Sequence, residues 1–212
     1  CASILVYFDG LCLERSWQMS CIEEEFLQDR IIYISGEVNV DMSDNVIKTL
    51  LYLDKKNPGK EIKIYINCSP GGEVYAGLAM IDTINAIKSP VSIVVMGYVA
   101  SMASVLLSCG TKGKRYIQRG ARVMIHQVSS GVNGKNDDIQ VAAENTKYLN
   151  DYLMNMLAKN CNKTIDTVKN DCRVDYWMSA KEAINYGIVD EIITETDKKE
   201  TSDKITDEDL EW

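Results

Sequence analysis

Short, β-branched apolar runs alternate along the chain with segments whose apolar positions return every three or four residues. Arg30–Ser35, Glu61–Asn67, Val91–Met96, Arg122–Ile125 and Ile188–Ile193 read as strands. Most are nearly continuous in apolar character rather than alternating, the pattern of strands covered on both faces. Val74, Leu78, Ile81 and Ile84 mark one helix; Ile139, Ala142, Thr146, Leu149, Leu153 and Met156 mark a second that is long enough to project from a small domain. Ser179 followed by Glu182 is a capping box, and Gly187 stands where a left-handed residue ends that helix. Strands and helices taken in this order predict an α/β fold of stacked crossover units.

The two ends of the chain break the pattern. Residues 1–21 have scattered apolar positions and no period, and from Glu195 onward eight acids and three lysines leave almost nothing to bury, which predicts a solvated acidic tail over 194–212. Residues 22–193 are expected to form one domain, since no linker or repeat interrupts them and a chain of 212 residues with 46% hydrophobic positions can bury a sizeable core. The net charge of −8 argues against nucleic acid as a partner. No apolar run approaches the roughly 20 residues of a membrane-spanning helix. The first ten residues include Asp9 and no basic region, so no secretory signal is expected, although a start at Cys1 leaves room for upstream residues. Seven cysteines, odd in number and without a CxxC pair, fit reduced thiols in a cytoplasm-like compartment. No cofactor or metal is expected.

Chemistry is limited first by histidine, because His126 is the only one. An imidazole acid–base step must use it, and it stands where the strand Arg122–Ile125 gives way to a polar, glycine-containing loop. Ser101 follows the apolar strand from Val91 and precedes a helix-like run through Leu107. There a hydroxyl could meet the free N–H groups of a first helical turn and act as a nucleophile, or it could simply be an N-cap. Ser69-Pro70-Gly71-Gly72 follows the strand Glu61–Asn67, and its consecutive glycines allow close backbone approach to a ligand, or a plain turn. Neither GxGxxG nor GxxxxGK[ST] is present, so nucleotide binding has little support. A serine–histidine pair needs an orienting carboxylate. Asp175 is one candidate among many acids, set apart by the apolar patch Tyr176-Trp177-Met178, which could partly bury it.

Taken together, these stretches resemble the ClpP family of proteolytic subunits of the ATP-dependent Clp protease. The resemblance runs from about Asp29 to Asp190. SPGG at 69–72, ASM at 100–102, KGKRY at 112–116, RVMIHQ at 122–127 and MSAKEAINYG at 178–187 arrive in the family's order and spacing. It implies the ClpP/crotonase-like fold, stacked ββα units with a projecting handle over Asn133–Asn160. It further implies a Ser101–His126–Asp175 triad with an oxyanion hole from the N–H groups of Gly72 and Met102. The activity implied is a serine endopeptidase that cuts unfolded polypeptides to short peptides inside two stacked heptameric rings. An AAA+ unfoldase of the ClpX, ClpA or ClpC type would feed it, docking near the N-terminal axial segment 1–21 and the rim at Glu23-Glu24-Glu25. The implied location is the cytoplasm, or an organellar matrix or stroma.

The chain departs from the family at three places. Val174 stands where an arginine used in ring-to-ring ion pairing usually precedes the aspartate, Cys68 is an extra residue ahead of the SPGG loop, and Val128 replaces the proline that often follows His-Gln. Two alternatives remain open at this stage: a catalytically weak ring subunit that pairs with an active paralogue, and a crotonase-like acyl-thioester enzyme. The absence of a GxSxG elbow argues against an α/β-hydrolase.

Overall fold

The computed structural model describes residues 22–68 and 70–193. The N-terminal segment 1–21, Ser69 and the acidic tail 194–212 lie outside them. In chain order the strands are β1 (Ile31–Ser35), β2 (Ile62–Cys68), β3 (Val91–Ala100), β4 (Arg115–Gln118), β5 (Arg122–Ile125), β6 (Tyr176–Ser179) and β7 (Glu191–Ile193). Residues 22–28 are helical (α1). They are followed by α2 (Val40–Lys56), α3 (Val74–Ala86), α4 (Met102–Ser108), α5 (Asn136–Cys161), α6 (Ile165–Asp171) and α7 (Ala180–Tyr186). The α/β architecture expected from the pattern is present: β1-β2-β3-β4-β7 form a sheet of parallel neighbours, and the helices connect them.

One strand divides the molecule. The first half of β3 pairs with β4 through Ile93–Val95, and its second half pairs with β5 through Tyr98–Ala100. The change of partner coincides with a bulge. Ile66 of β2 pairs with Val95 but Cys68 pairs with Val99, so β3 carries two extra residues there. Gly97 sits in the bulge at φ 64°, and a Cβ built on it would lie 2.6 Å from the Asn67 Oδ1. Glycine is required by both the angle and the space. Beyond the bend β5 recruits β6 in antiparallel register, which turns the sheet into a small second layer over α4 and α7.

Several elements were not visible in the apolar pattern. Helix α2 is the longest of them. It buries Val46, Leu50 and Leu53 and is capped by Asn39, whose Oδ1 accepts from the Met42 N–H. Its apolar stripe is masked by Val40, Leu51 and Tyr52, all exposed on the far side. Strands β4 and β6 have four residues each, too short for a period, and α6 is a seven-residue helix. The expected strand over Ile188–Ile193 is shorter than read. Ile188 and Val189 are buried but outside the ladder, and pairing begins at Glu191. Between them and the ladder, Asp190 turns back into the structure instead.

The long helix projects as expected. At 1.5 Å per residue, the 26 residues of α5 extend about 39 Å. Its buried residues begin at Leu149, so the N-terminal half stands clear of the core. The capping box of α7 is formed: the Ser179 N–H donates to Glu182 Oε2, the Glu182 N–H donates back to Ser179 Oγ, and Gly187 closes the helix at φ 89°.

A buried ion pair closes the sheet at β4. Arg115 is 1% exposed and donates from Nε and Nη2 to Asp190, while the Gly113 and Arg115 N–H groups donate to the same carboxylate. Burial alone would raise the Asp190 pKa, but the Arg115 guanidinium and these N–H donors hold it below the usual carboxylate range. Its stabilisation is therefore present above the ordinary carboxylate pKa and lost as pH falls through the depressed one. Asp190→Asn leaves the guanidinium buried without its anion. We predict a loss of about 3–5 kcal/mol by chemical denaturation at neutral pH, with a smaller dependence of stability on acid than the parent shows.

Candidate active site

Strand register brings the sequence candidates together. In the β5–β6 ladder Ile125 pairs with Tyr176, so one step beyond it places His126 opposite Asp175. The side chains meet, with His126 Nδ1 3.2 Å from Asp175 Oδ1. On the other side of β5, the parallel ladder with β3 ends at Ala100 opposite Met124, and the Ser101 N–H donates to the Met124 carbonyl at 3.0 Å. This bond sets Ser101 beside the end of β5. Its Oγ lies 2.8 Å from His126 Nε2.

Ser101 adopts φ 56° and ψ −123°, a strained conformation for a residue with a side chain. The strand-to-helix reversal is thus as sharp as that of a nucleophile elbow, although the GxSxG sequence is absent. Ser101 occupies the N-cap position of α4, but its hydroxyl makes no capping bond to the helix and is turned to His126 instead. Strain of this kind persists only where surroundings hold it. Here the Ser104 hydroxyl contacts both the Val99 and Met124 carbonyls, tying α4 to β3 and β5 beneath the turn.

The glycine loop completes the arrangement. Gly71 has φ 106°, and a Cβ built on it would lie 2.6 Å from Ser101 Cβ and 2.7 Å from the Ala100 carbonyl oxygen. The loop is therefore pressed directly on the serine turn. Val38 bonds to the residues flanking Gly72, its N–H donating to the Gly71 carbonyl and its own carbonyl accepting from the Glu73 N–H. That pattern leaves the Gly72 N–H on the opposite edge. The Met102 N–H is the first of α4 and has no acceptor within the helix.

Gly72, Ser101, Met102, His126 and Gln127 share a cleft of about 50 Å³ floored by Val74, Val105, Val128, Leu153 and Met154. A larger cavity of about 400 Å³ lies elsewhere, between α4 and α5, and contains none of these groups. One expectation is corrected. The Tyr176-Trp177-Met178 patch does not cover Asp175, whose side chain is 60% exposed. Only Met178 of the three is buried, Tyr176 and Trp177 being 38% and 42% exposed. Cysteine does not compete as a nucleophile among the described residues. Burial pushes the Cys68 and Cys161 thiols up to about 11 and Cys172 up to about 12, and it raises Cys109 too.

Comparison with known proteins agrees with this architecture. The Clp protease family model matches residues 14–196. The chain is 43% identical over 183 residues to the ATP-dependent Clp protease proteolytic subunit of Deinococcus radiodurans, covering 86% of this chain and 88% of that protein. It is 44% identical over 188 residues to the subunit of the same name from Streptococcus pyogenes serotype M5, covering 88% and 94%. The class is therefore that of a peptidase. The chain belongs to the Clp protease family.

The contact between the loop and the serine turn makes a measurable prediction. Gly71→Ala forces both a disfavoured angle and a clash with backbone, so we expect a loss of about 1–3 kcal/mol in chemical denaturation. The same substitution at Gly113, which also has positive φ but an open surrounding, is expected to cost less.

Proposed function

We propose that this chain is a serine endopeptidase in which Ser101 is the nucleophile, His126 the general base and then acid, and Asp175 the orienting carboxylate. The observation that carries the reading is the chain of contacts from Ser101 Oγ to His126 Nε2 to Asp175 Oδ1. A serine hydroxyl attacks a peptide carbonyl only if a base takes its proton. With the Asp175 carboxylate accepting from Nδ1–H, Nε2 is left with its lone pair toward the hydroxyl. As Oγ bonds to the carbonyl carbon, its proton passes to Nε2, and the imidazolium is stabilised by Asp175. The oxygen of the tetrahedral intermediate takes the negative charge, and the N–H groups of Gly72 and Met102 are the donors proposed to meet it. Such a donor is worth about 2.7–4 kcal/mol in the transition state. The imidazolium then protonates the leaving amine, the C–N bond breaks, and water repeats the sequence to release the acid.

The projecting α5 and the family membership support a further part of the reading: assembly into two stacked heptameric rings around a chamber, fed with unfolded polypeptide by an AAA+ unfoldase. ATP hydrolysis then belongs to the partner, as the name "ATP-dependent" attaches to the related proteins. Among the described residues no helix is long and apolar enough to cross a membrane. We place the protein in the cytoplasm, or in an organellar matrix or stroma. Val174 is 73% exposed next to Asp175. The ring-to-ring ion pair expected of an arginine there is therefore replaced, in this proposal, by an apolar side chain.

A fluorogenic peptide assay together with fluorophosphonate labelling tests the reading. Labelling at Ser101 is expected in the parent and is expected to vanish in Ser101→Ala along with peptide hydrolysis. Asp175→Asn, whose amide can donate to Nδ1 and so hold the imidazole in the wrong tautomer, is expected to lower kcat by about 10⁴-fold. Peptide turnover that persists in Ser101→Ala would end the assignment. Light scattering on the same samples gives the mass of the particle, expected near that of about 14 subunits if the chamber is built as in the family.

A further inference from the structure

Helix α5 carries a polar residue inside its buried stripe. Leu149, Leu153, Met154 and Leu157 are buried, and Leu153 and Met154 floor the cleft beside Ser101. Asn150, one turn before Met154, lies among them. Its Oδ1 accepts from the Val128 N–H at 3.0 Å in a partly buried setting. Val128 is the second residue after His126, and residues 126–133 belong to neither helix nor strand. The chain leaving His126 is therefore held by individual bonds rather than by a ladder, one of them between the Ser130 and Thr146 hydroxyls, 2.9 Å apart, at the start of α5's inner half. The Gln127 N–H donates to the Cys172 carbonyl at 2.9 Å, toward the segment that leads to Asp175; the Val128 N–H donates to α5.

We propose that Asn150 is a positioning residue for the peptidase reaction: it holds the segment after His126 against α5, so that the imidazole meets Ser101 and residues 127–129 form one wall of the cleft. The inference rests on the serine-peptidase reading given above. Its physical basis is the backbone donor at position 128. A partly buried N–H that loses its acceptor must find water, and here it can do so only if the segment lifts from α5. His126 would then keep its attachment to β5 on one side and lose part of its attachment on the other. The cleft would open between Val128 and the Leu153–Met154 floor at the same time. A proline at position 128 would have no N–H to satisfy. Asn150 and Val128 are thus a matched pair, and the need for the amide arises from the residue that faces it.

The test uses the assembled protein and reads the rate of fluorophosphonate labelling at Ser101, with kcat for a fluorogenic peptide. Asn150→Leu, which keeps size and removes the acceptor, is expected to slow labelling and lower kcat about tenfold. Asn150→Asp, whose carboxylate still accepts the N–H, is expected to remain within about threefold of the parent. The double variant Val128→Pro with Asn150→Leu is expected to recover activity relative to Asn150→Leu alone, a non-additivity that simple damage to the helix would not produce. Labelling of Asn150→Leu at the parent rate overturns the role of Asn150. So does an equal fall in Asn150→Leu and Asn150→Asp with no recovery in the double variant. A parent protein that is not labelled at Ser101 fails earlier and overturns the peptidase reading itself.

Discussion

The bond from the Ser101 N–H to the Met124 carbonyl is the junction on which the molecule turns. It is the last rung between β3 and β5, and it occurs where β3 has already exchanged β4 for β5. Without the exchange, β3 would run on beside β4, and β5 and β6 would have no strand to build on. The bulge at Gly97 permits the bend, and the Ser104 hydroxyl braces the exit of the strand from below. Backbone hydrogen bonding thus sets both the architecture of the second layer and the position of the serine. The strained dihedral angles of Ser101 are a consequence, held by contacts that are themselves part of the sheet.

Placement of His126 follows from the same logic. It needs no long-range side-chain recognition to find Asp175, because an antiparallel ladder already aligned at Ile125 and Tyr176 brings the next two residues face to face. A one-residue slip in that pairing would send the imidazole to the opposite face. Burial of Val123 and Met178, which pair within the ladder, resists such a slip. Packing in the core therefore protects the geometry of a site that lies at its edge.

Much of this was legible in the chain. The first half of β3 is legible as an unbroken apolar run because it is buried on both faces, whereas β2 is fully buried on one face and half-buried on the other, and the ends of α7 are marked by Ser179, Glu182 and Gly187. In the sequence Ser101, His126 and Asp175 stand out as candidates by their chemistry, and Gly72 and Met102 by resemblance. What could not be read was pairing. Strands β4 and β6 are too short to show a period, and nothing in Tyr176-Trp177-Met178-Ser179 says that it will lie antiparallel to Arg122-Val-Met-Ile. The positive φ of Ser101 was equally hidden, since the strain is imposed by β5 and by Gly71 and not by the local sequence. Helix α2 was missed for a different reason: Leu51 and Tyr52 place apolar side chains on its solvent face and blur the stripe. Asn150 gave no signal because a polar residue in a helix looks solvated until the partner N–H is seen.

The N-terminal half of α5 leaves a separate mark. From residue 136 to 144 every side chain but Ala142 is exposed, Val141 being 66% accessible. The first bond from this stretch back to the body of the subunit comes at Asn145, whose Oδ1 accepts from the Tyr75 hydroxyl at 3.3 Å. Folding of the individual polypeptide therefore exerts little selection on these nine positions beyond helix propensity. Whatever preference they show across a lineage is a record of what lies outside the subunit, so that drift in this stretch and drift in the β3–β5 junction answer to different masters.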